Sequence, residues 1–135
     1  MREKKKCVLE VQDIRSLSFP NNFFDGIACF HTLGNLIEEE RKKSSRELSR
    51  VLKSGGFLFF QDFGMKDFRN GKGEKIEENT FKRKTGIVTH YFELDEVREL
   101  FHPLQLKSEE REQFFVQYDG KRLMREKLHA QFVKM

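Results

Sequence analysis

The chain of 135 residues lacks any apolar run of the roughly 20 residues that a membrane-spanning helix needs. Its basic start, residues 1–6, is not followed by the apolar segment of a secretion signal. Charged residues make up 36% of the chain, so any core must be enclosed by a heavily charged surface. These features predict a soluble, cytoplasmic protein.

Cysteine is also scarce, since the chain contains only Cys7 and Cys29. Their placement does not follow the disulfide pattern of a small secreted scaffold, which favours free thiols in a reducing compartment. Cys29 lies within an apolar run, and we expect a buried strand residue there rather than a catalytic nucleophile. The sequence contains no P-loop and no cluster with the spacing of metal ligands.

Tryptophan is absent, whereas the chain contains 15 Phe, so we expect a core built on phenylalanine. The net charge is +4, and the excess lies at the two ends. Residues 121–135 contain five basic residues against one acidic residue, and residues 1–6 contain four against one. Basic ends of this kind either contact the phosphates of a nucleic acid such as tRNA or are simply solvated charge.

The first half of the chain alternates predicted strands with a predicted helix. Residues 7–11 (CVLEV) are rich in aliphatic side chains and predict a strand. Residues 25–30 (DGIACF) form a short apolar run, typical of a strand covered on both faces. Residues 36–52 place apolar side chains at helical spacing, and the apolar run 57–60 (FLFF) predicts another buried strand. This order predicts a βαβ unit.

The ends of that helix have their own signals. Asn35 is a plausible N-cap, and three glutamates, Glu38, Glu39 and Glu40, suit the positive end of the helix dipole. Gly55-Gly56 supplies the residue that a left-handed cap requires at the other end.

The second half begins with residues 63–86, which are rich in glycine and charge and predict a long loop or mobile insertion. Residues 86–94 predict a strand and residues 96–101 a short helix, capped by Asp95 and stopped at His102-Pro103. In residues 104–134, Asp119-Gly120 is a strong turn signal between two extended segments, so we expect a β-hairpin at a sheet edge.

Two stretches carry a family resemblance: DIRSLSFPNNFFDGIACFHTLGNL and, after it, RELSRVLKSGGFLFFQDF. Their order resembles that of the class I S-adenosylmethionine-dependent methyltransferases, in which a helix ending in Arg-Val-Leu-Lys-Pro-Gly-Gly precedes an apolar strand. Ser54 replaces the proline of that ending, and Ser18 replaces the proline of the family's Leu-Pro-Phe turn. The close resemblance covers about residues 8–63. It implies an α/β fold with a partial Rossmann-like sheet, mostly parallel strands with helices, ending in an antiparallel hairpin.

The resemblance also implies a cofactor, S-adenosylmethionine, and four residues that bind it. Asp13 matches the acidic residue that contacts the adenine amino group, and the adjacent Ile14 covers the ring. Phe30 and His31 match positions near the methionine end of the cofactor, at the strand ends where open α/β sheets bind ligands. Each has a structural alternative: Asp13 as the cap of a turn, Phe30 as core, and His31 as a structural histidine.

Catalytic residues are harder to assign, because the sulfonium is a strong methyl donor and the protein mainly aligns donor and acceptor. His31 and Asp62 are the candidates, since both follow strands at the ligand-binding edge. Asp25 lies at the opposite end of its strand and is interpreted as structural. The segment around His90 is similar to one that precedes the late helix in some tRNA-modifying methyltransferases. No residue identifies the methyl acceptor.

The family's glycine-rich cofactor loop has no counterpart, since none of the nine glycines opens a helix after an N-terminal strand. The chain is therefore expected to be a single domain, residues 1–135, equivalent to the C-terminal half of a methyltransferase domain. In the family's sheet, strand three reaches strand four only through strands two and one, so the run at 26–30 is left as a bare edge. We expect a homodimer, a complementing N-terminal half, or a re-paired strand to cover it.

Two classes of function follow. The first is a methyltransferase, or its C-terminal portion, that is incomplete and inactive on its own. The second is a non-catalytic interaction or RNA-binding module derived from the methyltransferase fold.

Overall fold

The computed structural model describes residues 6–135. Two helices, seven strands and one turn of 3₁₀-helix at Leu33–Asn35 lie within that range. The elements in chain order are β1 (Phe24–Phe30), α1 (Glu38–Val51), β2 (Leu52–Phe63), β3 (Glu74–Glu77), β4 (Thr80–Lys82), β5 (Val88–His90), α2 (Leu94–Phe101), β6 (Gln105–Tyr118) and β7 (Lys121–Val133).

The main sheet has four strands in the order β1-β2-β7-β6. β1 and β2 are parallel and joined by α1, while β7 is antiparallel to both β2 and β6. Asp119 and Gly120 adopt φ angles of 51° and 71°, the left-handed conformations that a tight hairpin turn needs. The α/β class and the partial Rossmann-like sheet with a terminal hairpin are therefore confirmed. The expectation of mostly parallel strands is corrected, because β1 and β2 are the one parallel pair among the described strands.

The core lies on the helix-covered face of this sheet. Phe60 of β2 packs edge to face against Phe92 and Phe101, with ring centroids 5.2 and 5.6 Å apart. Leu58 and Phe132 from neighbouring strands are fully buried beside them. Burial of each such side chain contributes roughly 1.5–3 kcal/mol, so the expected phenylalanine core is a main source of stability.

The opposite face of the sheet is open. Phe57 and Phe59, which alternate with the buried residues of β2, are 39% and 41% exposed. Phe30 at the end of β1 is 52% exposed. The interpretation of Phe30 as core is therefore wrong, because its side chain points to the face that neither helix covers.

No strand forms at residues 7–11, which corrects the sequence-based expectation. Val8, Leu9 and Val11 are 78%, 91% and 104% exposed. Backbone groups in a strand need a partner, and none of the described strands pairs with this segment. Among the described elements, β1 therefore forms an uncovered edge of the main sheet.

Helix α1 starts later and ends earlier than residues 36–52, and its caps differ from the predicted ones. Asn35 belongs to the 3₁₀ turn, and Ile37 is the N-cap. Two carboxylates cap the helix instead of the Asn35 side chain: Glu40 accepts a hydrogen bond from the Ile37 N–H at 3.3 Å, and Glu77 accepts one from the Glu38 N–H at 3.0 Å. Gly55, with φ of 83°, lies inside β2 rather than at the helix end.

Residues 63–86 contain β3 and β4, so the expectation of a long loop is corrected. These strands and β5 form a small antiparallel sheet. Asn79, with φ of 57°, turns the chain between β3 and β4. Phe81 then packs near Tyr91 with ring centroids 6.5 Å apart, which gives the charged segment an apolar anchor that composition alone does not reveal. Neither described helix is long and apolar enough to cross a membrane.

Candidate functional site

The carboxyl ends of β1 and β2 form the candidate site. The two strands are parallel neighbours, so His31, which follows β1, lies beside Gln61 and Asp62 near the end of β2. The His31 N–H donates to the Gln61 carbonyl at 2.8 Å. His31 has a φ of 51°, a left-handed conformation that is uncommon outside glycine. The chain therefore turns sharply off the sheet at the ligand-binding edge.

Asp62 organises the turn that follows. Its carboxylate is 2% exposed and accepts the Gly34 N–H at 2.9 Å and the Phe63 N–H at 2.9 Å. A side chain at Gly34 would place its first carbon 2.6 Å from both carboxylate oxygens, so glycine is required there. Asp62 therefore positions the loop after β1 and does not itself face solvent.

The His31 ring is one-third exposed, at 33%. Its Nε2 lies 2.9 Å from the Gln61 amide nitrogen, a donor, so that arrangement leaves the imidazole proton on Nδ1. Nδ1 lies 3.5 Å from an Asp62 oxygen and forms no hydrogen bond with it. The ring also packs on Phe63, with centroids 4.6 Å apart. The structure thus brings together both catalytic candidates, His31 and Asp62.

Cys29 is a poor nucleophile. Its side chain is buried, and that burial, with the nearby negative charge of Asp62, raises the pKa of the thiol to about 12. A thiol with that pKa is almost entirely protonated at neutral pH. The described residues also contain no group of three or more His, Cys, Asp or Glu side chains able to hold a metal ion.

Asp13 and Ile14 lie in a separate turn before β1. Both oxygens of the exposed Asp13 carboxylate bind the Arg15 guanidinium, at 3.0 and 2.8 Å. Hydrogen bonds from Arg15 lower the pKa of Asp13 to about 2. Ile14 lines an apolar groove of about 300 Å³ with Ile27 and Leu48. Asp13 therefore acts as the cap of a turn here, and no hydrogen bond or ion pair between described residues joins it to His31.

His90, singled out from the sequence, is buried in the small sheet. Its Nδ1 lies 2.7 Å from the Thr80 hydroxyl and its Nε2 lies 2.7 Å from a carboxylate oxygen of Glu96. These contacts tie β4 and β5 to α2, which is a structural role.

A charged cluster beside the site escaped the sequence analysis. Asp67 accepts from Arg125 Nε at 2.7 Å, and the fully buried Glu126 accepts from the Gln113 amide at 2.6 Å and the Lys66 N–H at 3.1 Å. The Arg125 guanidinium lies 4.5 Å above the Phe63 ring. The only sequence signal was the excess of basic residues in the last 15 positions.

The sequence matches a family described as a methyltransferase domain over residues 1–60. The tRNA N(3)-cytidine methyltransferase METTL2 of Danio rerio is 32% identical over 106 residues, which are 73% of this chain and 30% of that protein. The same enzyme of Bos taurus is 29% identical over 106 residues, 73% of this chain and 28% of that protein. The chain thus spans less than a third of these curated relatives.

Solved structures resemble the fold. A methyltransferase described as dependent on S-adenosylmethionine, from Methanosarcina mazei, aligns with a TM-score of 0.71 at 22% identity over 93% of this chain and 67% of that chain. The Burkholderia thailandensis 1,6-didemethyltoxoflavin-N1-methyltransferase, solved with S-adenosylhomocysteine, aligns with a TM-score of 0.60 at 13% identity over 90% of this chain and 48% of that chain.

Proposed function

Because this chain belongs to the class I S-adenosylmethionine-dependent methyltransferase family, we propose that it forms the C-terminal part of a methyltransferase domain that acts on tRNA. The observation that carries this proposal is the strand order β1-β2-β7-β6, with His31 and Asp62 at the carboxyl ends of the parallel pair. The tRNA acceptor is proposed because several curated relatives are tRNA N(3)-cytidine methyltransferases.

The cofactor, when bound, would supply the sulfonium methyl group. Phe30 and His31 suit one wall of its site, since both lie at the carboxyl end of β1 and are partly exposed. The adenine side fits less well, because Arg15 occupies both oxygens of Asp13. No described glycine opens a helix after a strand. The described residues thus make an incomplete pocket, and we derive no step of methyl transfer from them.

A complete cofactor pocket needs groups that the described residues do not supply. β1 is an edge strand, and Phe30, Phe57 and Phe59 leave its side of the open face apolar. Such an edge favours pairing with another polypeptide. We propose that a complementing N-terminal half, or a second copy of the chain, covers it.

Within that assembly His31 has the best position to contact the acceptor, because its ring is one-third exposed at the sheet edge. Asp62 would act through the loop 31–35, as a positioning residue. The exposed Cys7 and the buried Cys29 are both free thiols, which favours a reducing, cytoplasmic location.

Calorimetric titration of the purified chain with S-adenosylhomocysteine tests the cofactor part, with the mass in solution measured on the same sample. We expect Phe30→Ala to weaken binding about tenfold, since one apolar wall is lost. Phe115→Ala, at 56% about as exposed as Phe30 but on the other face of the sheet, is the matched control. Absence of binding both by the chain alone and after addition of the N-terminal portion of a METTL2-like protein would contradict the proposal.

A second candidate is a non-catalytic RNA-binding module that retains the fold. The closed Asp13–Arg15 pair favours it, because the residue expected to hold adenine is already bound within the chain. This module would bind tRNA in a salt-sensitive manner and would not bind S-adenosylhomocysteine.

A further inference from the structure

Aromatic rings and cations alternate across the open face of the sheet, from the candidate site to the hairpin. The His31 ring packs on Phe63, and the Arg125 guanidinium lies 4.5 Å above Phe63 and 5.4 Å from Phe68. Phe68 in turn lies 6.0 Å from the Tyr118 ring. We call these residues and the neighbouring cations the basic–aromatic row: Phe63, Phe68, Arg69, Lys72, Phe114, Tyr118, Arg125 and Lys127.

Strand register places the strand residues of the row on one face, and Phe68 joins them through its contacts with Arg125 and Tyr118. Phe114 pairs with Arg125, so Tyr118 and Lys127, an even number of residues away on the two strands, share their side of the sheet. Phe57, Phe59 and Phe63 alternate in the same way along β2 and lie on that face. The two helices cover the other face. Tyr118 and Lys72 are exposed, whereas the Arg125 side chain is 14% exposed and lies against Asp67 and the two rings, so the outer members of the row are the ones open to a ligand.

The charge of the row is positive. Lys72 lies 4.9 Å and Arg69 5.5 Å from the Phe68 ring, and Lys127 lies 5.6 Å from Phe114. Among the described contacts, none of these three cations is in an ion pair. The acidic residues nearby are Asp67, buried against Arg125, Glu112, which pairs with His129 and lies opposite Lys127 in the register, Glu110, opposite His129, and Asp119 in the hairpin turn.

Rings flanked by cations suit one class of ligand. Bases of a single strand stack on aromatic side chains and guanidinium planes, while the phosphates between them attract lysine and arginine. A duplex keeps its bases stacked inside and offers only its backbone. Tyr118 is 56% exposed, so its ring is available for stacking.

We propose that the basic–aromatic row binds single-stranded RNA and guides it towards His31. The proposal rests on the tRNA acceptor of the proposed function. It adds the surface that holds the acceptor and the form in which it is held, an unpaired segment.

Fluorescence anisotropy of the whole chain with a labelled single-stranded RNA of about 12 nucleotides tests the proposal. We expect Tyr118→Ala to raise Kd about tenfold through the loss of one stacked base. Lys72→Ala should weaken binding and lower the salt slope by about 0.7, because one phosphate contact disappears. Both residues are exposed, so neither change threatens the fold.

The opposite face of the same hairpin offers matched controls. Phe115 is 56% exposed, and the Arg122 guanidinium lies 4.2 Å from its ring. This pair therefore offers an aromatic ring and a cation on the face opposite the row. Phe115→Ala and Arg122→Ala should change Kd less than about twofold. Equal losses on both faces, or equal affinity for duplex RNA, would overturn the proposal.

This result is separable from the methyltransferase proposal. Binding of S-adenosylhomocysteine should be the same in the Tyr118→Ala and Lys72→Ala variants as in the unchanged chain, because the row lies beyond the cofactor wall. If the chain binds RNA through the row but does not bind the cofactor, the RNA-binding proposal is supported and the methyltransferase proposal is contradicted. If the chain binds the cofactor but its RNA affinity is unchanged by Tyr118→Ala and Lys72→Ala, the methyltransferase proposal is supported and the RNA-binding proposal is contradicted.

Discussion

Residues 7–11 and residues 57–60 are both short apolar segments, but only the second has strands on either side. β2 pairs with β1 along one edge and with β7 along the other. Leu58 and Phe60 are consequently buried, whereas Leu9, at 91%, and Val11, at 104%, are exposed. The comparison shows that an available partner, rather than an apolar sequence, decides whether a strand forms here.

The two cysteines sharpen that comparison most strongly, because Cys7 belongs to the unpaired segment and Cys29 to β1. Cys7 is exposed, while burial raises the pKa of Cys29 to about 12. At pH 8 we expect a disulfide reagent to label the exposed Cys7 much faster than Cys29, because Cys29 is buried and its raised pKa leaves little of the reactive thiolate.

In stopped-flow measurements, one thiol of the native chain should therefore react rapidly with the reagent, and both thiols should do so in denaturant. The Cys7→Ser variant should lose the fast phase and retain the slow one. Two fast thiols in the native chain would mean that β1 opens readily at its bare edge.

Core truncation tests the same contrast in stability. Leu58→Ala should lower the free energy of unfolding by about 2–5 kcal/mol, because the Leu58 side chain is fully buried and its truncation leaves a cavity in the core. Leu9→Ala, in the exposed segment, should change it by less than about 0.5 kcal/mol. Urea unfolding followed by circular dichroism measures both. A comparable loss from Leu9→Ala would show that residues 7–11 pair in solution, as they would across a dimer.

Local patterns predicted the parts of the fold that local chemistry determines. The apolar runs at 25–30 and 57–60, the helix between them and the Asp119-Gly120 turn all appear in the structure. The strand predicted at residues 7–11 does not form, because none of the described strands pairs with it, and the segment's own sequence does not reveal whether a partner exists. The strands β3 and β4 were missed because their stabilisation comes from distant contacts, such as Phe81 with Tyr91.

The candidate site was predictable in location but not in detail. Family resemblance pointed to His31, and the position at a strand's carboxyl end pointed to Asp62; the strand pairing does bring the two together. Asp62 was expected to be a catalytic candidate, yet its carboxylate accepts a hydrogen bond from Gly34 in the following loop, a contact that no sequence pattern indicates. Likewise, the pairing of Asp13 with Arg15 depends on a turn whose shape the residues alone do not specify.

Substitutions of Asp62 and Asp25, which lie at opposite ends of the parallel strands, allow the contribution of each end to stability to be compared. Asp62→Asn should lower the free energy of unfolding by about 1–3 kcal/mol, because the amide places a donor against one of two buried N–H groups. The Asp25 side chain is 91% exposed and forms an ion pair with Lys53 at 3.4 Å, a surface contact, so Asp25→Asn should have almost no effect. Thermal unfolding measures the difference. Equal stability of both variants would show that the loop 31–35 is held by other contacts.

The smallest expected effect concerns the turn at Asp13, which is ordered although the segment before it forms no strand. The pKa of Asp13 is about 2, so the stability gained from its hydrogen bonds is present above its unfolded pKa and is lost as pH falls towards 2. The group is exposed, so the effect on unfolding is small and the pKa itself is the better readout. A carboxyl NMR titration should find a midpoint near 2, and Arg15→Gln should raise it part of the way towards the ordinary 3.8, because the backbone N–H of residue 15 still donates to the carboxylate.

Glu47 is the control for that titration, because Arg50 rather than Arg15 lowers its pKa. Its midpoint should be unaffected by Arg15→Gln. An ordinary midpoint for Asp13 in the unchanged chain would mean that the turn opens in solution and that its carboxylate is free to accept the adenine amino group. A low midpoint that rises only when S-adenosylhomocysteine binds would instead mean that the cofactor displaces Arg15, which would separate the enzyme from the RNA-binding module at a single residue.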